Sequence, residues 1–167
     1  MVICGNSCFS KNQKSFIMYY DIKLSPHFML SEFTKSPTAT ARGIDNTPTL
    51  TSVSNLQYLC EKVLEPLREF AKRPIFISSG YRCLALNKAV GGVSTSNHLS
   101  GYAADIKVPS NKVGEEWFNW MQKNIPVFDE LIMERNTPSS PTFWIHVAIR
   151  QGGTNRKKVI KNLIKTP

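Results

Sequence analysis

The residues of this chain best suited to chemistry are two histidines and one aspartate. In SNHLSGYAAD, residues 96–105, His98 precedes Asp105 across a turn of small residues, and His146 follows in TFWIHVAI. Two imidazoles and a carboxylate are a frequent ligand set for a catalytic zinc whose fourth position stays open. Taken singly, each has a structural reading: a hydrogen-bonded strand histidine, or an aspartate paired with Lys107. The chain has only three histidines. The remaining one, His27, has no cysteine or carboxylate close in sequence and is set aside.

These groups need rigid elements to position them. YAADIKV (102–108) reads as a strand, with Tyr102, Ala104, Ile106 and Val108 on one face and Asp105 on the other. In TFWIHVAI, Phe143, Ile145, Val147 and Ile149 share one face, leaving Trp144, His146 and Ala148 on the other. FDELIM pairs with this segment across RNTPSSP, whose prolines and serines are turn chemistry. PIFISS (74–79) is a further strand.

Val53, Leu56, Cys60, Val63, Leu64, Leu67, Phe70 and Ala71 recur at helical spacing, capped at Thr49 or Thr51, with Pro66 expected to kink or split the helix. Helices are also expected over 83–89 and 111–124, the latter with Trp117, Trp120 and Met121 inward. SEFTKSPTATARGIDNTPT reads as an ordered surface loop. The predicted fold is α+β: helices packed against a small, largely antiparallel sheet.

The length suits one domain with a real core, and 41% hydrophobic with 20% charged residues is an ordinary globular composition. No apolar run approaches a membrane span. Residues 1–17 lack a basic start and a sustained apolar stretch, so no secretory signal is expected there. They read as a non-core segment, with Met18 offering a second start to a domain over 18–150. Residues 151–167 read as a basic tail.

The net charge is +9, and six basic residues with no acid lie from Arg150 onward, leaving +9 − 6 = +3 for the rest. Such a tail suits an anionic surface or is simply solvated, and NRKKVIKNLI (155–164) has the pattern of a short basic helix. It is not interleaved with aromatics, so no specific nucleic-acid partner is expected. Cys4, Cys8, Cys60 and Cys83 form no CxxC pair. A Cys60–Cys83 bridge stays open.

Ser96, His98, Gly101, Ala103 and Asp105, with Trp144 and His146 downstream, form a pattern S-x-H-x-x-G-x-A-x-D … W-x-H. This resembles the zinc D-Ala-D-Ala carboxypeptidases and their phage endolysin relatives, in the wider group that includes lysostaphin and the hedgehog signalling domain. SGYR (79–82) with Asn87 resembles the family's arginine-bearing segment. The resemblance runs from about Met18 to about Ile149. It implies one Zn2+ held by His98, Asp105 and His146, Arg82 on the substrate carbonyl or carboxylate, and Ser96 and Trp144 at the substrate. It further implies a monomeric peptidase acting on peptidoglycan stem peptides next to a D-amino acid, in the bacterial envelope or encoded by a phage.

Many of these relatives carry an acid three residues before the second histidine, where this chain has Phe143. The expected replacement is Glu134, approximately opposite His146 across the hairpin, with Asp129 and Glu130 as alternatives further from the turn. The alternative to this catalytic reading is a surface glutamate paired with Arg135 or Arg150. Phe143 also leaves open a zinc-containing binding module that does no catalysis.

Overall fold

In the computed structural model, which describes residues 21–164, the helical run over 50–71 and the helix over 111–124 pack their apolar residues into one core with a five-stranded sheet. The strands are β3 (Phe76–Ser79), β4 (Ala103–Lys107), β5 (Glu130–Arg135), β6 (Trp144–Ala148) and β7 (Lys158–Ile164), in the order β3-β4-β6-β5-β7. Every neighbouring pair is antiparallel except β5–β7, which is parallel. A small separate pair, β1 (Lys23–Ser25) and β2 (Phe28–Met29), precedes them. The α+β expectation therefore holds. Residues 1–17, with Cys4 and Cys8, lie outside the described residues. No helix among the described residues is long and apolar enough to cross a membrane.

The long amphipathic stripe folds as α3 (Leu50–Leu59), a π-helical turn (Cys60–Leu64) and α4 (Glu65–Ala71). Thr49 caps α3, its hydroxyl accepting from the Ser52 amide at 3.1 Å. Pro66 stands in the first turn of α4. Because proline has no N–H to give, the chain widens to π geometry just before it and continues, rather than breaking. Leu56, Leu59, Val63 and Leu67 from this run are fully buried, as are Ala104, Ile106 and Ile145 from the sheet.

Helix α6 (Asn111–Asn124) completes the core with Trp117, Phe118 and Met121. Trp120, expected to point inward, is only half-buried and stacks on Phe70 at 4.6 Å. Phe143 packs into the space above Gly114, where an added Cβ would lie 2.7 Å from its ring. It therefore faces the helices, on the side of the sheet away from His146. Cys60 and Cys83 are free thiols; Cys83 instead caps α5 (Leu84–Ala89), its sulfur accepting from the Leu86 amide at 3.4 Å.

Two stretches differ from expectation. The supposed loop after Ser31 contains α1 (Leu30–Thr34) and α2 (Pro37–Arg42). Ser36 caps α2, Pro37 opens it, and Gly43 closes it at φ 61°, the usual start and stop chemistry of a helix. Residues 155–164 form no helix. Strand β7 runs along β5 as the outer strand of the sheet, so this part of the basic segment is not a loose tail.

Candidate metal centre and cleft

The alternation of β4 and β6 sends Asp105 and His146 to the face opposite the buried apolar residues Ala104, Ile106, Ile145 and Val147, and their register sets the two directly opposite each other. His98 arrives from a 3-10 turn, Asn97–Ser100. That turn closes at Gly101 with φ 74°, where a Cβ would meet the Ser52 carbonyl oxygen at 2.5 Å. Only glycine suits both the backbone angle and the contact. Asn55 ties the turn down, donating to the Ser100 carbonyl at 2.8 Å.

The three groups meet. His146 Nδ1 lies 2.9 Å from Asp105 Oδ1, and His98 Nε2 lies 3.3 Å from each of those atoms. All three residues are buried. Tetrahedral zinc with bonds of about 2.0–2.1 Å sets its ligand atoms about 3.3–3.5 Å apart. The triangle is close to one face of such a tetrahedron, and its N, O, N donor set suits zinc. The residues fit the metal.

Outer contacts orient the ligands. His98 Nδ1 donates to the Gly80 carbonyl at 2.6 Å, which turns the Nε2 lone pair toward the cluster. Gly80 itself has no room for a side chain: a Cβ there would lie 2.6 Å from Phe33 Cβ. Gly80→Ala is expected to cost about 1–3 kcal/mol through overpacking. It should also weaken zinc binding by shifting the carbonyl that orients His98, checked by thermal melting and by titration with a competing chelator.

Burial lowers the His98 pKa. Burial alone would raise Asp105, but the two histidines hold it well below the usual carboxylate range. Burial likewise opposes charge on His146, yet Asp105 and Glu130 outweigh it and lift that imidazole to about 9. Without metal, the cluster is thus an Asp105 carboxylate paired with a His146 imidazolium. Lys107 plays no part in it.

Arg82 lies between β3 and α5, buried, with Nη2 3.9 Å from Asp105 Oδ2 and Nε without a hydrogen-bond partner. Burial lowers its pKa, while Asp105 and Glu134 favour its charge. Asn46 clamps the backbone on both sides, donating to the Tyr81 carbonyl at 3.0 Å and accepting from the Cys83 amide at 2.8 Å. Nothing local in the sequence pointed to Asn46. Asn87 is buried and donates to the Val93 carbonyl at 2.9 Å, holding the loop at Gly91–Val93 on the rim.

The cluster opens into a cavity of about 520 Å³ whose lining includes Arg82, Ser96, Glu130 and Glu134. Ser96 also caps the His98 turn, its hydroxyl accepting from the His98 amide at 3.4 Å. Trp144 is not part of this lining, so the cavity gives no support to a substrate wall there. A second cavity of about 220 Å³ shares Arg82 and Asp105 with the first.

Glu134 is opposite Trp144 in the β5–β6 ladder, while Ile132 is opposite His146. Glu134, expected approximately opposite His146, is therefore offset from it by two residues. The two still share a face as diagonal neighbours, and the Glu134 charge favours protonation of both Arg82 and His146. Arg135 lies over the Phe143 ring at 5.2 Å, and Arg150 pairs with Asp129 at 3.3 Å.

Sequence reasoning undervalued Glu130. It lies on the same face as Ile132 and Glu134, with Oε2 3.7 Å from His146 Nε2, and Arg156 and Lys158 approach its other oxygen at 3.0 and 3.6 Å. The period-two spacing 130, 132, 134 was the signal available. Contact with His146, joined by those cations, holds Glu130 at about 2.

Asp129 is fully buried, and Arg156 grips it through Nε at 2.8 Å and Nη2 at 2.7 Å. Burial would raise its pKa, but the bonds from Arg156 and Asn97 lower it from 3.8 to about 2. A carboxyl more acidic when folded stabilises above its unfolded pKa and loses that contribution as pH falls through the folded one. Asp129 is expected to contribute about 2 kcal/mol above roughly pH 4, vanishing toward pH 2. Denaturant melts across the acid range should show a shallower decline for Asp129→Asn than for the parent.

A triangle of two imidazoles and a carboxylate on the floor of an open cleft is the kind of centre found in zinc hydrolases. The family model described as Peptidase M15 matches residues 26–148. The chain belongs to that family of zinc-dependent metallopeptidases. No curated protein matches it.

Proposed function

We propose that this protein is a zinc peptidase that hydrolyses peptidoglycan stem peptides at a bond next to a D-amino acid. The observation that carries the reading is the His98–Asp105–His146 triangle at the floor of a cleft in a chain of the M15 peptidase family. Zinc bound there supplies a Lewis acid that polarises the scissile carbonyl and activates water. Glu134, on the cleft wall, takes a proton from the attacking water and returns it to the leaving amine as the C–N bond breaks. Arg82, fixed and desolvated, stabilises the charge that develops on the carbonyl oxygen. Ser96 orders the turn that carries His98 and faces the substrate.

Open space on both sides of Arg82 and Asp105 favours a peptide that passes through the site, and hence a cut inside a stem over removal of a terminal residue. The enzyme acts at the cell wall, whether encoded by a bacterium or a phage. The test is metal analysis of the full chain together with digestion of purified muropeptides, with and without chelator. One zinc per chain and chelator-sensitive new termini are expected. A zinc-loaded protein that leaves every muropeptide intact would establish the binding-module alternative instead.

A further inference from the structure

Strand β7 lies beyond the residues that match the family, yet it forms a wall of the cleft: Lys158, Leu163 and Ile164 line the same cavity as the metal ligands. Its parallel register sets Lys158 beside Glu130 and Leu163 beside Glu134. Arg150 and Arg156 pair with Asp129, and Arg156 and Lys158 with Glu130, three cations around two adjacent carboxylates.

Arg156 is committed to Asp129 by two short hydrogen bonds, and Arg150 bonds Asn97 Oδ1 at 3.2 Å as well as pairing with Asp129. Lys158 makes a single long contact, 3.6 Å to a carboxylate that Arg156 already approaches at 3.0 Å, and its side chain is 47% exposed. It has the longest ion-pair distance of the three cations and lines the cavity. Beyond it, Leu163 and Ile164 stay exposed at 37% and 41%, giving the wall an apolar lip.

We propose that β7 builds a carboxylate-binding subsite into the cleft, in which Lys158, seconded by Arg150, takes a free carboxylate carried by the peptide substrate beside the scissile bond. The inference rests on the peptidase reading for the meaning of that carboxylate, although the subsite can be tested as binding alone. An ammonium suits the task because it is a mobile point charge that need not match a rigid fork. An arginine already in a bidentate pair is less able to turn.

Two synthetic stem peptides serve as probes, one with a free carboxylate next to the cleaved bond and one with the carboxamide. Parent, Lys158→Met and Lys158→Arg, each confirmed as folded by thermal melting, are compared for cleavage and for calorimetric binding at low and high salt. The parent is expected to favour the acid by about tenfold, mainly in KM, with the preference shrinking at high salt. Lys158→Met should handle both peptides alike, and Lys158→Arg should retain most of the preference. Equal treatment of the two peptides by the parent, or a preference untouched in Lys158→Met, overturns the subsite. If the parent cuts neither peptide, the peptidase reading fails, and the calorimetric preference alone then decides the subsite in the same two ways.

Discussion

Glu134→Gln is expected to keep one zinc per chain while lowering kcat on a muropeptide by about 10²–10⁴-fold. The amide has the shape of the acid and its hydrogen-bonding reach, but it cannot accept and return a proton. The loss should therefore fall on kcat, with KM little changed, as for a group whose contribution is made in the transition state. Three features single out this acid. Glu134 lines the cavity, lies on the His146 face of the sheet, and exerts its charge on both Arg82 and His146. Glu130 is nearer to His146, but its carboxylate is engaged by Arg156 at 3.0 Å and Lys158 at 3.6 Å, which disfavours its taking up a proton. Near-parental cleavage in Glu134→Gln, with metal retained, would remove Glu134 from the mechanism. Glu130→Gln would be the next variant to measure.

His98→Ala should cost more than about 100-fold in zinc affinity and abolish cleavage with it. His98 Nε2 is one corner of a triangle with sides of 2.9, 3.3 and 3.3 Å, and no other ligand-type side chain belongs to that group among the described residues. Its loss leaves two ligands and a void lined by the Gly80 carbonyl. It also removes one of the two imidazoles that support the buried Asp105 carboxylate, so the metal-free variant should melt below the metal-free parent. Competition with a chromogenic chelator measures the affinity, and elemental analysis after dialysis gives the stoichiometry. Undiminished zinc at one per chain would mean that the metal binds elsewhere, and the hydrolase reading would lose its centre. Glu134→Gln and His98→Ala thus separate two faults: chemistry lost with metal kept, and both lost together.

Much of this site was legible in the chain. The direction of Asp105 and His146 followed from period-two alternation, because apolar neighbours at 104, 106, 145 and 147 have to face the helices. Their donor types named the metal. Thr49, Pro66 and Gly101 marked a helix start, a disturbed helix and a tight turn by their backbone chemistry alone. Ser36, Pro37 and Gly43 carry the same kind of signal for α2, but they stand among many loop-forming residues that mask it.

Other features depended on contacts between distant segments. A long hairpin connection does not determine its own register, so whether Glu134 or Ile132 stands opposite His146 awaited the packed sheet. KVIKNLI mixes lysine, asparagine and aliphatics in a pattern that serves a helix or an edge strand about equally. What selects the strand is the open edge of β5, with Asp129 and Glu130 waiting for Arg156 and Lys158. Residue type and local periodicity determined the ligands and the faces they occupy. Long-range pairing decided which carboxylate meets which cation and what closes the cleft, because those energies exist only once segments far apart in the chain are brought side by side.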